Sequence, residues 1–212
     1  MLMLIAVVVV SFLLALKLPA YYLHARWEAE ASVRSYESAD RYVAVRPFLS
    51  IVLLCGGVLP AWYLTESLSF TLFVLLLAVA AYVDWMTTWV PDLLIFALSW
   101  TVLLGGLSTT SGLVSLPGAW AMLVPALMLN GLTALRRQPP ALASGDLYLL
   151  PAAGAWLPPE SALVCFLVSL LLSSVVGHFR KEVPFITILY PVFMVFSLCG
   201  DHFSWFLRWP AF

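Results

Sequence analysis

The sequence predicts an all-α fold: a polytopic membrane helix bundle of about eight transmembrane helices, forming one domain over residues 1–212. Three observations lead to this prediction. The chain is 63% hydrophobic and 10% charged, with a mean hydropathy of +1.02, whereas a soluble domain is about 45–50% apolar and about 25% charged. The apolar residues form runs long enough to cross a bilayer, and the basic residues fall almost entirely in alternate loops.

Hydropathy predicts where each helix lies. A span needs about 20 mostly apolar residues. The first candidate could be the core of a signal peptide, but Lys17 and Arg26 follow it rather than precede it, so we expect a membrane helix. The sixth is the weakest because it contains an acid and a proline, and seven spans is the alternative. The predicted spans are Leu2–Leu23, Pro47–Leu64, Leu68–Trp85, Asp92–Leu107, Leu116–Leu135, Ala141–Leu157, Glu160–His178 and Pro184–Gly200.

The basic residues predict the orientation of the bundle. With eight spans, loops on one side hold eight of the ten basic residues, and the opposite loops hold none. Lys and Arg are retained in the cytoplasm, so we expect both termini outside and the short polar loop 24–46 inside. No predicted inner loop is large enough for a core of its own. The eight residues are Arg26, Arg34, Arg41, Arg46, Arg136, Arg137, Arg180 and Lys181.

Charge and cysteine content exclude several functions. A formal net charge of −1 excludes a nucleic-acid-binding module that depends on bulk positive charge. Cys55, Cys165 and Cys199 form no CxxC pair and have apolar neighbours. This pattern argues against a zinc site or a disulfide framework and favours small buried side chains in helices. We therefore expect no nucleic-acid partner and no bound metal.

Three acids lie within or at the ends of the predicted spans and not in polar loops: Asp84, Asp92 and Asp146. A charge inside the bilayer costs several kcal/mol by some scales and usually marks a functional site. The topology places Asp84 at the cytoplasmic end of the third span and Asp146 inside the sixth on the same side, at similar depth. Neither has a basic partner at helical spacing. We interpret Asp92, which follows Pro91 in the first turn of a helix, as structural.

Two carboxyl groups that meet have a distinctive chemistry. They share one proton, because both cannot ionise side by side. In an aspartic hydrolase the ionised member takes a proton from water and the neutral member donates to the substrate carbonyl. Gly145, beside Asp146, has no Cβ and would let a peptide backbone approach. The alternative is that each acid caps a helix or joins two spans, with small residues at 141–145 packing helices together.

Two motifs around these acids resemble those of the type IV prepilin peptidase family, GxGD-type membrane aspartic proteases that also process type II secretion pseudopilins. The first motif is Asp84-Trp-Met-Thr-Thr-Trp-Val-Pro91-Asp92-Leu93. The second is the Gly145-Asp146 pair, which opens a helix that continues through small residues to Leu157. The resemblance covers Leu68–Phe179 well and the remainder only in topology.

The resemblance implies a function and a site. Asp84 and Asp146 match the two catalytic aspartates, and Gly145 matches the glycine before the second. The implied reaction is water attack with no covalent intermediate, no metal and no cofactor. The implied substrate is a type IV prepilin or pseudopilin, cut between its basic leader and its apolar helix at the bacterial inner membrane. The oligomeric state stays open.

The chain departs from the family pattern at two places. The family's G-x-G-D-x-K becomes Ala143-Ser144-Gly145-Asp146-Leu147-Tyr148, so the first glycine and the lysine are replaced. Losing the lysine removes a positive charge near the acids. The loop 24–46 has no cysteine, whereas many family members carry paired CxxC motifs there and methylate the new N-terminus with S-adenosylmethionine. We therefore expect a peptidase without methyltransferase activity.

Two other classes are weighed against this prediction. The presenilin and signal-peptide-peptidase type also uses paired aspartates, but Tyr82-Val83-Asp84 is not its adjacent Tyr-Asp pair, and Pro125-Ala126-Leu127 precedes Gly145-Asp146 instead of following it. A proton-coupled transporter or a non-catalytic assembly subunit could also keep acids in its helices. Transporter acids lie near the midplane, often within inverted repeats, whereas these acids are predicted near one face and no repeat is visible.

Overall fold

The computed structural model describes residues 2–32, 46–87, 90–107, 115–179 and 183–207. These residues form eight α-helices and no strand. The helices are α1 (Leu2–Ser32), α2 (Pro47–Thr65), α3 (Leu68–Thr87), α4 (Asp92–Leu107), α5 (Ser115–Leu135), α6 (Ser144–Gly154), α7 (Pro159–Phe179) and α8 (Phe185–Leu207).

Five of these helices are long and apolar enough to cross a membrane: α1, α2, α3, α5 and α7. Helix α4 and the apolar part of α8 are shorter, and α6 has 11 residues. The predicted all-helical membrane bundle is therefore confirmed. The count of eight spans and the outward termini stay predictions, as does the single domain over 1–212.

Helix α1 is longer than the predicted span Leu2–Leu23 and continues to Ser32. Residues 24–32 contain neither glycine nor proline and are rich in alanine and glutamate, which favour helix. The first part of the predicted polar loop 24–46 is therefore helical. Residues 33–45 of that loop lie outside the described residues.

Helix α3 lies at the centre of the bundle. Its side chains are buried around most of its circumference, including Phe73, Leu77, Ala81 and Tyr82, as expected for an apolar helix enclosed by others. It packs against α2, α4 and α8. Helices α4 and α8 also pack against α6, so they connect the two helices that carry the acids.

Helix α6 is shorter than the predicted span Ala141–Leu157. The chain before it is extended at Ala143, and residues 141 and 142 form a bend. At 1.5 Å per residue, α6 is about 17 Å long, well below the membrane core of about 30 Å. The observed helix is therefore too short to cross the bilayer by itself.

Aromatic packing fixes the register between α3 and the α6 segment. The indole ring of Trp156, just after α6, lies 5.3 Å from the ring of Phe70 and 5.6 Å from that of Phe73. Asp84 lies eleven residues after Phe73, and Asp146 lies ten residues before Trp156. These separations correspond to about 16 Å and about 15 Å, so the antiparallel helices carry both acids to the same level.

Helices α5 and α6 come together at two glycines, Gly118 and Gly154. A Cβ on either residue would overlap the carbonyl oxygen of the other. Glycine is needed here because it allows two backbones to touch. Helix α5 continues through Pro125 without ending, as membrane helices tolerate.

Candidate active site

The first acid, Asp84, lies in the last turn of α3 and is 3% exposed. Its Oδ2 accepts a hydrogen bond of 3.0 Å from the backbone N–H of Thr187. The hydroxyl of Thr187 lies 3.3 Å from the same oxygen and also donates to the carbonyl of Ala81 at 2.7 Å. A single residue of α8 therefore holds both the carboxyl group and the helix that carries it.

This contact places the Asp84 carboxyl group at the N-terminus of α8. The helix begins at Phe185, so Ile186 and Thr187 carry N–H groups that have no partner within the helix. Residue 184 is a proline and has no side-chain oxygen with which to cap them. Asp84 takes the place of an N-cap side chain, although it comes from 103 residues earlier in the chain.

The second acid, Asp146, is the third residue of α6 and is half-buried. Its carboxyl group interacts with the backbone N–H of Ala143, the N-cap residue of the same helix. An acid at this position commonly reaches back to the N-cap N–H. The helix start therefore sets the direction of the Asp146 side chain.

Asn130 of α5 fixes the segment that leads into α6. Its Nδ2 donates to the carbonyl oxygen of Leu142 at 2.9 Å, and its Oδ1 accepts from the N–H of Leu142 at 2.9 Å. Both polar groups of one backbone unit are thus satisfied by one side chain. Because Leu142 lies four residues before Asp146, this clamp positions the start of α6.

The two acids lie at the same end of the bundle, since Gly145 packs beside Val90, six residues after Asp84. Each lies at the start of a helix, Asp84 against α8 and Asp146 within α6, where the helix dipole is positive and favours negative charge. The other contacts that act on them come from Thr187, Ile186 and Ala143. Among the described residues, no basic side chain forms an ion pair with either acid, so helix ends supply the positive potential.

The end of the first sequence motif also packs beside Gly145 of the second. A Cβ built on Gly145 would have the carbonyl oxygen of Val90 and the Cδ1 of Ile95 as its nearest neighbours, both at 3.9 Å. These are ordinary van der Waals distances, so packing within the protein does not require glycine at 145. Among the described residues, no other atom lies within 4 Å of that Cβ position, apart from the neighbouring backbone of its own helix.

The remaining predicted residues are peripheral to the two carboxyl groups. Asp92 is the exposed first residue of α4, and the Pro91 carbonyl accepts from Leu94 at 3.0 Å, so both residues lie at the start of that helix. Tyr148, which replaces the family lysine, is 65% exposed. Thr88 and Trp89 of the first motif lie outside the described residues. Across the described part of the chain, no group of three or more potential metal ligands occurs.

Sequence reasoning missed Thr187 and Asn130. Each contacts its partner across a gap in sequence, 103 residues for Thr187 and 12 for Asn130, and neither belongs to a periodic pattern. One signal was available for Asn130, because an asparagine within an apolar helix needs a partner. Thr187 had no such signal, since threonine commonly bonds to its own helix.

The fold and site together define a class: a polytopic helical membrane protein with a pair of acidic side chains held at adjoining helix ends. A family model described as the type IV leader peptidase family matches residues 71–178, half of the chain. The chain belongs to this family, which makes it a membrane protease of the leader-peptidase kind. No curated protein and no solved structure matches it.

The matched segment contains both acids, Gly145 and Asn130, whereas Thr187 lies beyond its end. The family supports the resemblance found in the sequence. It favours a peptidase over the transporter and the assembly subunit that the sequence left open, and it implies processing of prepilin-type substrates.

Proposed function

We propose that this protein is an aspartic endopeptidase that removes the leader peptide from type IV pilin or pseudopilin precursors at the cytoplasmic face of the bacterial inner membrane. Asp84 and Asp146 are its catalytic residues. No metal and no cofactor take part. We also propose peptidase activity alone, because the loop 24–46 has no cysteine to build the metal-bound region of the bifunctional members.

One observation carries the proposal. Two acids that are 62 positions apart in the sequence are carried to the same end of the bundle, because Trp156 packs on Phe70 and Phe73 and Gly145 lies beside Val90. Each belongs to one of the two motifs, and each is held by a helix N-terminus rather than by a basic side chain. A structural ion pair would require an opposite charge, whereas a pair of acids at one level suits proton exchange with water.

The proposed mechanism uses the pair as a unit. With one proton shared between the two carboxyl groups, the ionised member removes a proton from a water molecule as that water attacks the scissile carbonyl carbon. The neutral member donates its proton to the carbonyl oxygen. Collapse of the tetrahedral intermediate then breaks the C–N bond. The carboxyl group that took the water proton gives it to the leaving amine, and the other recovers its proton from the former carbonyl oxygen.

The proposed substrate follows from the location of the pair. The apolar helix of the precursor would lie in the bilayer beside the bundle, and its basic leader would remain in the cytoplasm. The scissile bond between them would reach the level of Asp84 and Asp146. The open space beside Gly145 would accept the extended backbone around that bond.

The test is cleavage of a type IV prepilin by the purified full-length chain in lipid nanodiscs, with the product identified by mass spectrometry. Asp84→Asn and Asp146→Asn should each lower the rate by at least about 100-fold, the lower range for general acid–base catalysis. Asparagine is the right replacement at 84, because its carbonyl oxygen can still accept from Thr187.

Asp92→Asn is the matched control, since it makes the same chemical change eight residues downstream in the same motif. It should cleave at the wild-type rate. If either site variant kept near-normal activity while remaining folded, the two-acid mechanism would be wrong. If the wild-type protein cut no prepilin or pseudopilin under conditions in which a known peptidase does, the proposed substrate would be wrong.

A further inference from the structure

We infer that Thr187, in the first turn of α8, is a positioning residue for Asp84, so that α8 is part of the active site although it lies outside the matched family segment. This inference rests on the proposed function of Asp84. It adds to the reaction a residue that neither motif contains.

Thr187 makes three contacts with the end of α3. Its N–H donates to Asp84 Oδ2 at 3.0 Å, its hydroxyl donates to the Ala81 carbonyl at 2.7 Å, and that hydroxyl lies 3.3 Å from Asp84 Oδ2. The hydroxyl therefore bridges a backbone group and a carboxyl oxygen on the same helix. A side chain held at two points in this way fixes the distance of α8 from α3 and the rotation of the Asp84 carboxyl group.

The first turn of α8 depends on this contact because two prolines bracket it. Pro184 precedes the helix and offers no capping side chain. Pro191 lies within the helix and has no N–H for the carbonyl of Thr187, four residues earlier. The first turn therefore has no capping side chain of its own, and the Thr187 carbonyl has no i+4 backbone donor. Asp84 supplies the acceptor that the N–H groups at the helix start would otherwise lack.

The consequence for the reaction is geometric. The catalytic carboxyl group must hold its orientation toward water and toward Asp146, and a misplacement of about 1 Å can cost about 100-fold in rate. Thr187 occupies one carboxyl oxygen, Oδ2, and so determines how the other is presented to the site. Removing the hydroxyl alone leaves the N–H bond in place, so we expect a partial rather than a complete loss.

The test compares Thr187→Val with Thr187→Ser in the prepilin cleavage assay, using the full-length chain in nanodiscs. Valine has the shape of threonine but no hydroxyl, and serine keeps the hydroxyl. We expect Thr187→Val to lower kcat about tenfold with KM changed less than twofold, and Thr187→Ser to remain within threefold of wild type. A contact with substrate would instead raise KM.

Thr71→Val is the matched control. Thr71 is a buried threonine near the other end of α3, and its hydroxyl donates to the Ser67 carbonyl at 2.7 Å. The same loss of a carbonyl-bonded hydroxyl there should leave kcat unchanged. Thermal unfolding of all three variants separates loss of fold from loss of alignment.

A second readout does not require cleavage. The infrared carboxyl band of Asp84, identified by its absence in Asp84→Asn, should shift in Thr187→Val and keep its wild-type frequency in Thr187→Ser and Thr71→Val. An unshifted band in Thr187→Val would overturn the inference, whatever the activity. So would wild-type kcat in Thr187→Val, or an equal loss in the valine and serine variants. Failure of the proposed function would look different: the wild-type protein would be inactive, but the Asp84 carboxyl band would still shift in Thr187→Val.

Discussion

The surroundings of Asp84 and Asp146 differ although both acids lie at the same end of the bundle. Asp84 ends a long, central helix, is 3% exposed, and is held by a helix from a distant part of the chain. Asp146 begins an 11-residue helix, is half-buried, and depends on a proline-containing segment that Asn130 clamps. Asp84 is therefore fixed by the core of the bundle, whereas Asp146 lies on a short helix that fewer contacts hold in place.

The difference shows two ways in which a membrane protein can position a carboxyl group. Both carboxyl groups use helix N-termini as their source of positive potential, but Asp84 uses another helix and Asp146 uses its own. The arrangement around Asp84 resists change because α2, α4 and α8 all pack against α3. The arrangement around Asp146 depends on a few contacts, at Gly154, Trp156 and Asn130, and substitutions there should separate the two regions most clearly.

The largest effect is expected from Gly154→Ala. The added Cβ would overlap the backbone of Gly118, and because a backbone cannot rotate away, α5 and α6 must separate. Overpacking costs about 1–3 kcal/mol, and we expect the free energy of unfolding to fall toward the upper end, by about 3 kcal/mol. Thermal or chemical unfolding in detergent measures this, and prepilin cleavage should fall with it.

Gly131→Ala on α5 is the control for this substitution. A Cβ there has no neighbour within 4 Å among the described residues, so stability should stay the same or rise slightly through helix propensity. Equal stability of Gly154→Ala and Gly131→Ala would mean that the glycine contact does not hold α6 in place.

A smaller effect is expected from Asn130→Leu. This change removes the two 2.9 Å hydrogen bonds to Leu142. At about 1 kcal/mol each, their loss should lower the free energy of unfolding by about 2 kcal/mol. Cleavage should fall at least about tenfold, because the segment that positions Asp146 is released and catalysis is sensitive to small displacements.

Thr133→Val tests whether the Asn130 effect is specific. Thr133 lies on the same helix and donates to the Asn130 carbonyl at 2.9 Å, so its loss disturbs α5 without touching Leu142. It should retain cleavage near the wild-type rate. A comparable loss of activity in both variants would assign the effect to α5 as a whole and not to the clamp.

The smallest effect on stability is expected from Gly145→Ala. The new Cβ would lie 3.9 Å from its nearest neighbours, and alanine has a higher helix propensity than glycine, so the unfolding free energy should not decrease. We nevertheless expect cleavage to fall about tenfold, since the methyl group would occupy space meant for the substrate backbone. Ser144→Ala, an exposed change next to it, is the control. Full activity in Gly145→Ala would remove the proposed role of this space.

The sequence predicted the helices better than their contacts. Apolar runs located all eight helices, because a segment that crosses a bilayer must be long and apolar. The spacing of the motifs singled out Asp84 and Asp146. The ends were less predictable. Residues 24–32 looked like a polar loop but form helix through local propensity. The apolar residues at 141–143 looked like part of a span but stay outside α6, because both backbone groups of Leu142 are bonded to Asn130 and Ala143 is extended.

The parts of the site that the sequence did not reveal are contacts between distant residues. Thr187 and Asn130 each act through a backbone group, and a backbone partner carries no signature in the sequence. The replacement of the family lysine by Tyr148 was visible, but its exposure of 65% was not. Such features depend on which helix packs beside which, and periodicity does not encode that choice.

The contact between Gly118 and Gly154 has a mechanical consequence. No side chain lies between α5 and α6 at this point, so no rotamer change there can absorb a displacement of one relative to the other. A tilt of α5 should therefore displace α6 as well, and Asp146 with it. Lateral pressure from the surrounding lipid on α5 would then change the distance between the two acids.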